Sequence, residues 1–145
     1  MRHFPLLLLL VLSSCAGQPP VGLYEGPHGR LHAYVSDGCT GALDGTQESP
    51  DAWTHCCEAH DLKYWAGGSA EERLSADKEL EACVAATGHG DTAKIMYAVV
   101  RALGNPYNRT SWRWGFGWTE LRGYTPLNAE ERAEIERFSP KSPPR

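Results

Sequence analysis

Three scarcities frame this sequence. Basic residues do not outnumber acidic ones: 14 Lys and Arg stand against 18 Asp and Glu, a formal net charge of −4. That balance argues against a nucleic-acid partner held through phosphates. Long apolar runs are missing after residue 12, and a bilayer-spanning helix needs about 20 apolar residues. Cysteines number only five, an odd count, and no two have the two-to-four-residue spacing usual for zinc ligands. Internal repeats are also absent. What is present is a 145-residue chain, 41% hydrophobic, enough for one domain with a modest core. Its 15 Gly and 10 Pro predict a large share of loop.

The N-terminus accounts for the odd cysteine. Arg2 precedes an apolar run from Phe4 to Leu12, too short for a permanent span and suited to the core of a secretory signal. Leu12-Ser13-Ser14-Cys15 follows, which resembles a bacterial lipobox, cut before the cysteine that then carries lipid. The expected organisation is a leader at 1–14, a Gly/Pro-rich tether at 15–30 after lipidated Cys15, a folded domain at 31–138 and a disordered tail at 139–145. The expected location is the bacterial cell envelope, with lipid on Cys15 as the membrane anchor. Ala16, rather than Asp, favours the outer membrane if the cell has two. Cys39, Cys56, Cys57 and Cys83 remain, an even number in an exported chain, so two disulfides are expected.

Helix signals follow in order. Ser49-Pro50 suggests an N-cap and first helical position, with Gly67-Gly68 as the stop near Ala66. Ser69 with Glu72 forms a capping-box pattern for a second helix ending at Gly88. A third, about 91–103, carries Ile95, Met96, Val99, Val100 and Leu103 at helical spacing and ends at Gly104. Asn128 begins a short charged helix, 129–138. The fold class is mainly α: an antiparallel helix pair, a third packed helix and long loops.

The chemistry concentrates in His55-Cys56-Cys57-Glu58-Ala59-His60-Asp61-Leu62-Lys63-Tyr64. Cys56, His60 and Tyr64 recur every four residues and share a helix face. Adjacent Cys56 and Cys57 point about 100° apart, so one can reach the second helix and the other the preceding loop with Cys39. Facing residues of an antiparallel hairpin have numbers with a nearly constant sum. His60 with Asp77 and Cys56 with Cys83 satisfy nearly the same register about the Gly67-Gly68-Ser69 turn. One hairpin thus brings a carboxylate to the imidazole, the usual way to fix a catalytic histidine.

Cys56-Cys57-x-x-His60-Asp61-x-x-Tyr64 resembles the active-site helix of secreted phospholipase A2, and Asp77 with Cys83 is similar to that family's second aspartate and following cysteine. Ser36-Asp37-Gly38-Cys39-Thr40 resembles the calcium-loop segment of the compact bacterial and fungal branch. The resemblance covers roughly residues 35–87. It implies His60 as general base, Asp77 as its support and Tyr64 in the same network. It implies Ca²⁺ as cofactor, held by Asp61 and by oxygens around Asp37, Gly38 and Thr40. It implies Cys39–Cys57 and Cys56–Cys83 bridges, a phospholipid substrate and sn-2 cleavage. Such a cation takes six to eight oxygens, and carbonyls of a tight turn supply them. The loop departs from the Gly-rich sequence of the animal enzymes, and nothing after about residue 104 matches by motif.

Rival readings use the same residues. A zinc cluster of His55, Cys56, Cys57 and His60 is disfavoured by adjacent cysteines and by export. His55 reads as an ordinary surface or core residue. A non-catalytic lipoprotein that binds lipid, protein or calcium keeps the fold without the chemistry. The alternating aromatics of Trp112-Arg113-Trp114-Gly115-Phe116-Gly117-Trp118 either contact lipid or cover the helical core, with the core reading ahead. Glu130 to Arg137 reads as a solvated helix face.

Overall fold

The computed structural model describes residues 25–140. The expected leader, Cys15, most of the expected tether and residues 141–145 of the tail lie outside the described residues. Among the described residues four helices form: α1 (Thr54–Ala66), α2 (Ala70–Ala86), α3 (Gly90–Leu103) and α4 (Ala129–Phe138). Among the described residues the only β pairings are two isolated bridges. The protein is mainly helical and carries two disulfides, Cys39–Cys57 and Cys56–Cys83.

The α1–α2 hairpin turns where its residues demand it. Ser69 and Glu72 form a complete capping box at the start of α2. At the other side of the turn, the last four carbonyls of α1 need donors from outside the helix. Gly67 N–H serves Lys63, Gly115 N–H serves Tyr64 and Gly117 N–H serves Trp65. The Trp118 indole serves Ala66 at 2.8 Å. The aromatic segment is therefore a cap for α1, and its alternating glycines have a steric cause. A Cβ on Gly117 would come within 2.6 Å of the Trp65 carbonyl oxygen, and one on Gly115, at φ +78°, within 2.9 Å of the Arg122 Cγ. Trp114 and Trp118 are buried, as a core-covering role requires, whereas Trp112 is 45% exposed.

Three expectations shift. α1 begins at Thr54 rather than Ser49, because residues 49–53 form tight turns and the Trp53 N–H donates to the Asp44 carbonyl at 2.9 Å. The end of the expected tether is docked: Arg30 and His28 carbonyls accept from Thr119 and Glu120 N–H. The run Glu130 to Arg137 is not all solvated. Glu131 is 1% exposed and takes both terminal nitrogens of buried Arg122, at 2.9 and 3.0 Å. A bidentate pair of this kind has the geometry that compensates burial of two charges.

The core has two main parts. Trp53, Leu80, Val84 and Ala93 pack around both disulfides, with Met96 and Val100 beside them. Leu31, Trp65 and Trp118 form the other part, covered by Ile135 and Phe138 from α4. α2 packs against both α1 and α3. The apolar positions of α3 do not all turn inward. Ala93 is its one buried residue, while Ile95, Val99 and Leu103 are 66, 49 and 54% exposed.

Candidate functional site

His60 and Asp77 meet across the hairpin, with Nε2 and Oδ1 2.9 Å apart. The Tyr64 hydroxyl donates to the same Oδ1 at 2.8 Å. Tyr64 lies one turn beyond His60 on α1, and the two rings sit 4.2 Å apart. Gly104 closes over Tyr64 so tightly that a Cβ there would meet its ring at 2.6 Å.

Asp77 is fully buried, and its other oxygen is also occupied. Arg101 Nη1 donates to Oδ2 at 2.6 Å, and Arg73 Nε stands 3.8 Å from it. Arg73 donates further to the Tyr64 hydroxyl at 3.0 Å, the Tyr124 hydroxyl at 2.6 Å and the carbonyls of Val100 and Arg101. Burial alone would raise the Asp77 pKa. Hydrogen bonds from His60, Arg101 and Tyr64 outweigh it and leave that pKa below its ordinary value. An ionised Asp77 can only accept, so Nε2–H is the donor; in the neutral imidazole this leaves Nδ1 as the bare nitrogen. Nδ1 has no side-chain or backbone partner among the described residues.

Asp61, the next residue on α1, is in a different state. Its hydrogen-bond partner is the Ser36 hydroxyl, 2.6 Å from Oδ2, and among the described residues no Lys or Arg pairs with it. Burial pushes its pKa up to about 6, against the opposing pull of Ser36; the nearby charges of Asp37 and Glu58 add to the rise.

The loop over Asp61 is fastened from several sides. Cys39 is bonded to Cys57, its N–H donates to Asp44 Oδ1 at 2.8 Å, and the Trp53 indole donates to the Leu43 carbonyl. Gly38 has φ +81°, a conformation that favours glycine, and a Cβ there would strike the Asp44 carboxylate at 2.5 Å. The Asp37 carboxylate and Thr40 hydroxyl bond to each other at 2.7 Å on the exposed side. Any oxygens this loop gives to a cation at Asp61 are therefore chiefly main-chain ones. The donor set suits a hard cation: an underpaired carboxylate beside a glycine turn.

His60, Asp61 and Tyr64 share a cavity of about 410 Å³ with Gly38 and Thr40. Its remaining wall is apolar: Leu80, Met96, Val100 and Phe116, opening on Ile95, Val99, Leu103 and Trp112. Asp37 does not line it. His55, Cys56 and Cys83 also cluster within 4.8 Å, but both sulfurs are in a disulfide, so no thiolate is available to a metal.

Sequence reasoning missed Arg73, Arg101 and Tyr124. Arg73 stands four residues before Asp77 on α2, a spacing that puts both on one face and could have pointed to it. Arg101 and Tyr124 reach the site only through tertiary packing. Comparison with protein-family models, curated proteins and solved structures finds no match to this chain.

Proposed function

We propose that the protein is a Ca²⁺-dependent hydrolase of the phospholipase A2 type, cleaving a phospholipid acyl ester while tethered to the cell envelope through Cys15. The observation that carries this reading is the His60–Asp77 hydrogen bond on the wall of an apolar cavity shared with Asp61. In this reading His60 Nδ1 takes a proton from water as the water attacks the ester carbonyl. Asp77, through Nε2–H, stabilises the imidazolium that forms, and Tyr64 keeps Asp77 in place. His60 then returns the proton to the leaving alkoxide. Asp61, with main-chain oxygens near Gly38 and Thr40, would hold the cation, whose charge polarises the carbonyl and favours the oxyanion. Preference for the sn-2 ester comes only from the family resemblance.

The substrate class is supported by the cavity wall. Met96, Val100 and Phe116 offer an acyl chain an apolar surface, and Ile95, Val99, Leu103 and Trp112 extend it to the rim. No helix among the described residues is long and apolar enough to cross a membrane. In this reading the rim meets the lipid surface directly.

A non-catalytic lipoprotein on the same scaffold is favoured by one observation: the side-chain oxygens of Asp37 and Thr40 are engaged with each other rather than free for a cation at Asp61. One assay separates the readings. Fatty-acid release from phosphatidylcholine vesicles is followed with calcium or chelator, for wild type and His60→Gln. Release that needs calcium and is lost in His60→Gln supports the hydrolase. No calcium-dependent release from the wild type, over several lipids and pH values, sinks it.

A further inference from the structure

Asp77 divides its two oxygens between different partners. Oδ1 accepts from both His60 and Tyr64, while Oδ2 has one close donor, Arg101 Nη1 at 2.6 Å. Rotation of a carboxylate about its Cβ–Cγ bond is soft, with broad, roughly two-fold preferences. Held through Oδ1 alone, the group can tilt away from His60. Held through both oxygens, it cannot turn without breaking a charge-assisted hydrogen bond.

We propose that Arg101 is a positioning residue for His60: it locks the Asp77 carboxylate through Oδ2, so that Oδ1 keeps the Nε2–H of His60 and Nδ1 stays bare towards the cavity. The idea deepens the hydrolase reading and rests on it for the kinetic half of its test. A basic residue in the last turn of a helix also suits the helix dipole, and Arg101 lies there on α3. That simpler role is already filled. Arg73 Nη2 donates to the α3 carbonyls of Val100 and Arg101 at 2.8 and 2.9 Å, so the end of the helix has its cation. The Arg101 guanidinium is instead turned onto Asp77.

Arg73 and Arg101 therefore have separate tasks. Arg73 is 3% exposed at its side chain and ties Tyr64, Tyr124 and the end of α3 together. Removing it endangers the fold. Arg101 is 32% exposed at its side chain, so a small cation from solvent can reach the place it leaves. This difference makes Arg101 the member of the network that can be tested by replacement and rescue.

The test uses Arg101→Ala with a monodisperse short-chain phospholipid, which removes interface effects. The kcat falls about 10- to 100-fold, by analogy with loss of a residue that orients a metal ligand, with KM within about twofold, and millimolar guanidinium restores part of kcat. A second readout needs neither substrate nor calcium. Imidazole ¹⁵N spectra at about pH 8, where a free histidine is neutral, show His60 as the Nε2–H tautomer in wild type and as a mixture in Arg101→Ala. This arm decides the proposal even if the wild type hydrolyses nothing. A folded Arg101→Ala protein with unchanged His60 nitrogens overturns it, whatever happens to kcat. Should that variant not fold, Arg101→Met replaces it, keeping the apolar stem but neither the charge nor the donor to Oδ2. A lowered kcat with a disturbed tautomer then supports the proposal, and wild-type spectra overturn it.

Discussion

Asp61 follows His60 on α1 and Asp77 meets it from α2, and the two carboxylates are treated in opposite ways. Asp77 has no exposed surface and accepts from His60, Tyr64 and Arg101, with Arg73 close by. Its pKa is held below the ordinary value although it is buried. Asp61 is only part-buried, accepts from one neutral hydroxyl and has its pKa pushed up to about 6. The fold completes the first carboxylate and leaves the second short of positive charge. A satisfied buried carboxylate can support an imidazole, whereas an underpaired one beside a glycine turn can take a hard cation.

The largest effect should come from breaking the satisfied side. Asp77→Ala leaves buried Arg73 and part-buried Arg101 without their carboxylate. A loss on the order of 3–5 kcal/mol is expected in urea unfolding, as when one partner of a buried ion pair is removed. The same change at Asp61 should not destabilise the calcium-free protein. If both alanine variants lose equal stability, the contrast between the two sites is wrong.

The disulfides divide along the same line. Removing Cys39–Cys57 or Cys56–Cys83, as paired alanines, should each cost about 2–4 kcal/mol. Their functional effects should differ. Loss of Cys39–Cys57 should free the loop over Asp61 and weaken the proposed calcium binding; loss of Cys56–Cys83 should loosen the α1–α2 register and disturb His60. Calcium titration and His60 spectra on both variants read this directly.

A smaller effect is a pH dependence with a definite sign. The Asp61 pKa is about 6 in the folded protein, above the ordinary 3.8 of a free aspartate. The folded state therefore holds the proton more tightly. Its contribution to stability is complete below about 3.8 and is lost as pH rises through 6. In chelator, the melting temperature of wild type should fall over this window relative to Asp61→Asn, by a few degrees. Saturating calcium should remove the difference. The reverse slope would mean that Asp61 is already paired.

The smallest effect should come from an exposed pair that bonds to neither carboxylate. Lys63 and Glu79 are 43 and 57% exposed at their side chains. Lys63→Ala should change stability by less than about 1 kcal/mol in the same unfolding assay.

Local chemistry made much of this legible in the sequence. The hairpin turn, the capping box at Ser69, the helix start at Asn128 and the His60–Asp77 register follow from spacing and cap residues. The start of α1 was not legible, since Trp53 N–H is captured by Asp44, nine residues earlier in a loop. Nor was the burial of Arg73, Arg101 and Glu131, because a charged residue on a helix looks solvated until its distant partner is known. The α3 stripe was read correctly as apolar but not as open. Its outward half faces the cavity mouth rather than the helix pair.

The central claim is that Asp61, and not Asp77, is the carboxylate left for a cation. Calorimetric titration of the folded protein with calcium at neutral pH tests it most directly, for wild type, Asp61→Asn and His60→Gln. One bound ion per chain is expected in wild type and His60→Gln and none in Asp61→Asn. No binding by the wild type, or binding that survives Asp61→Asn undiminished, would contradict it.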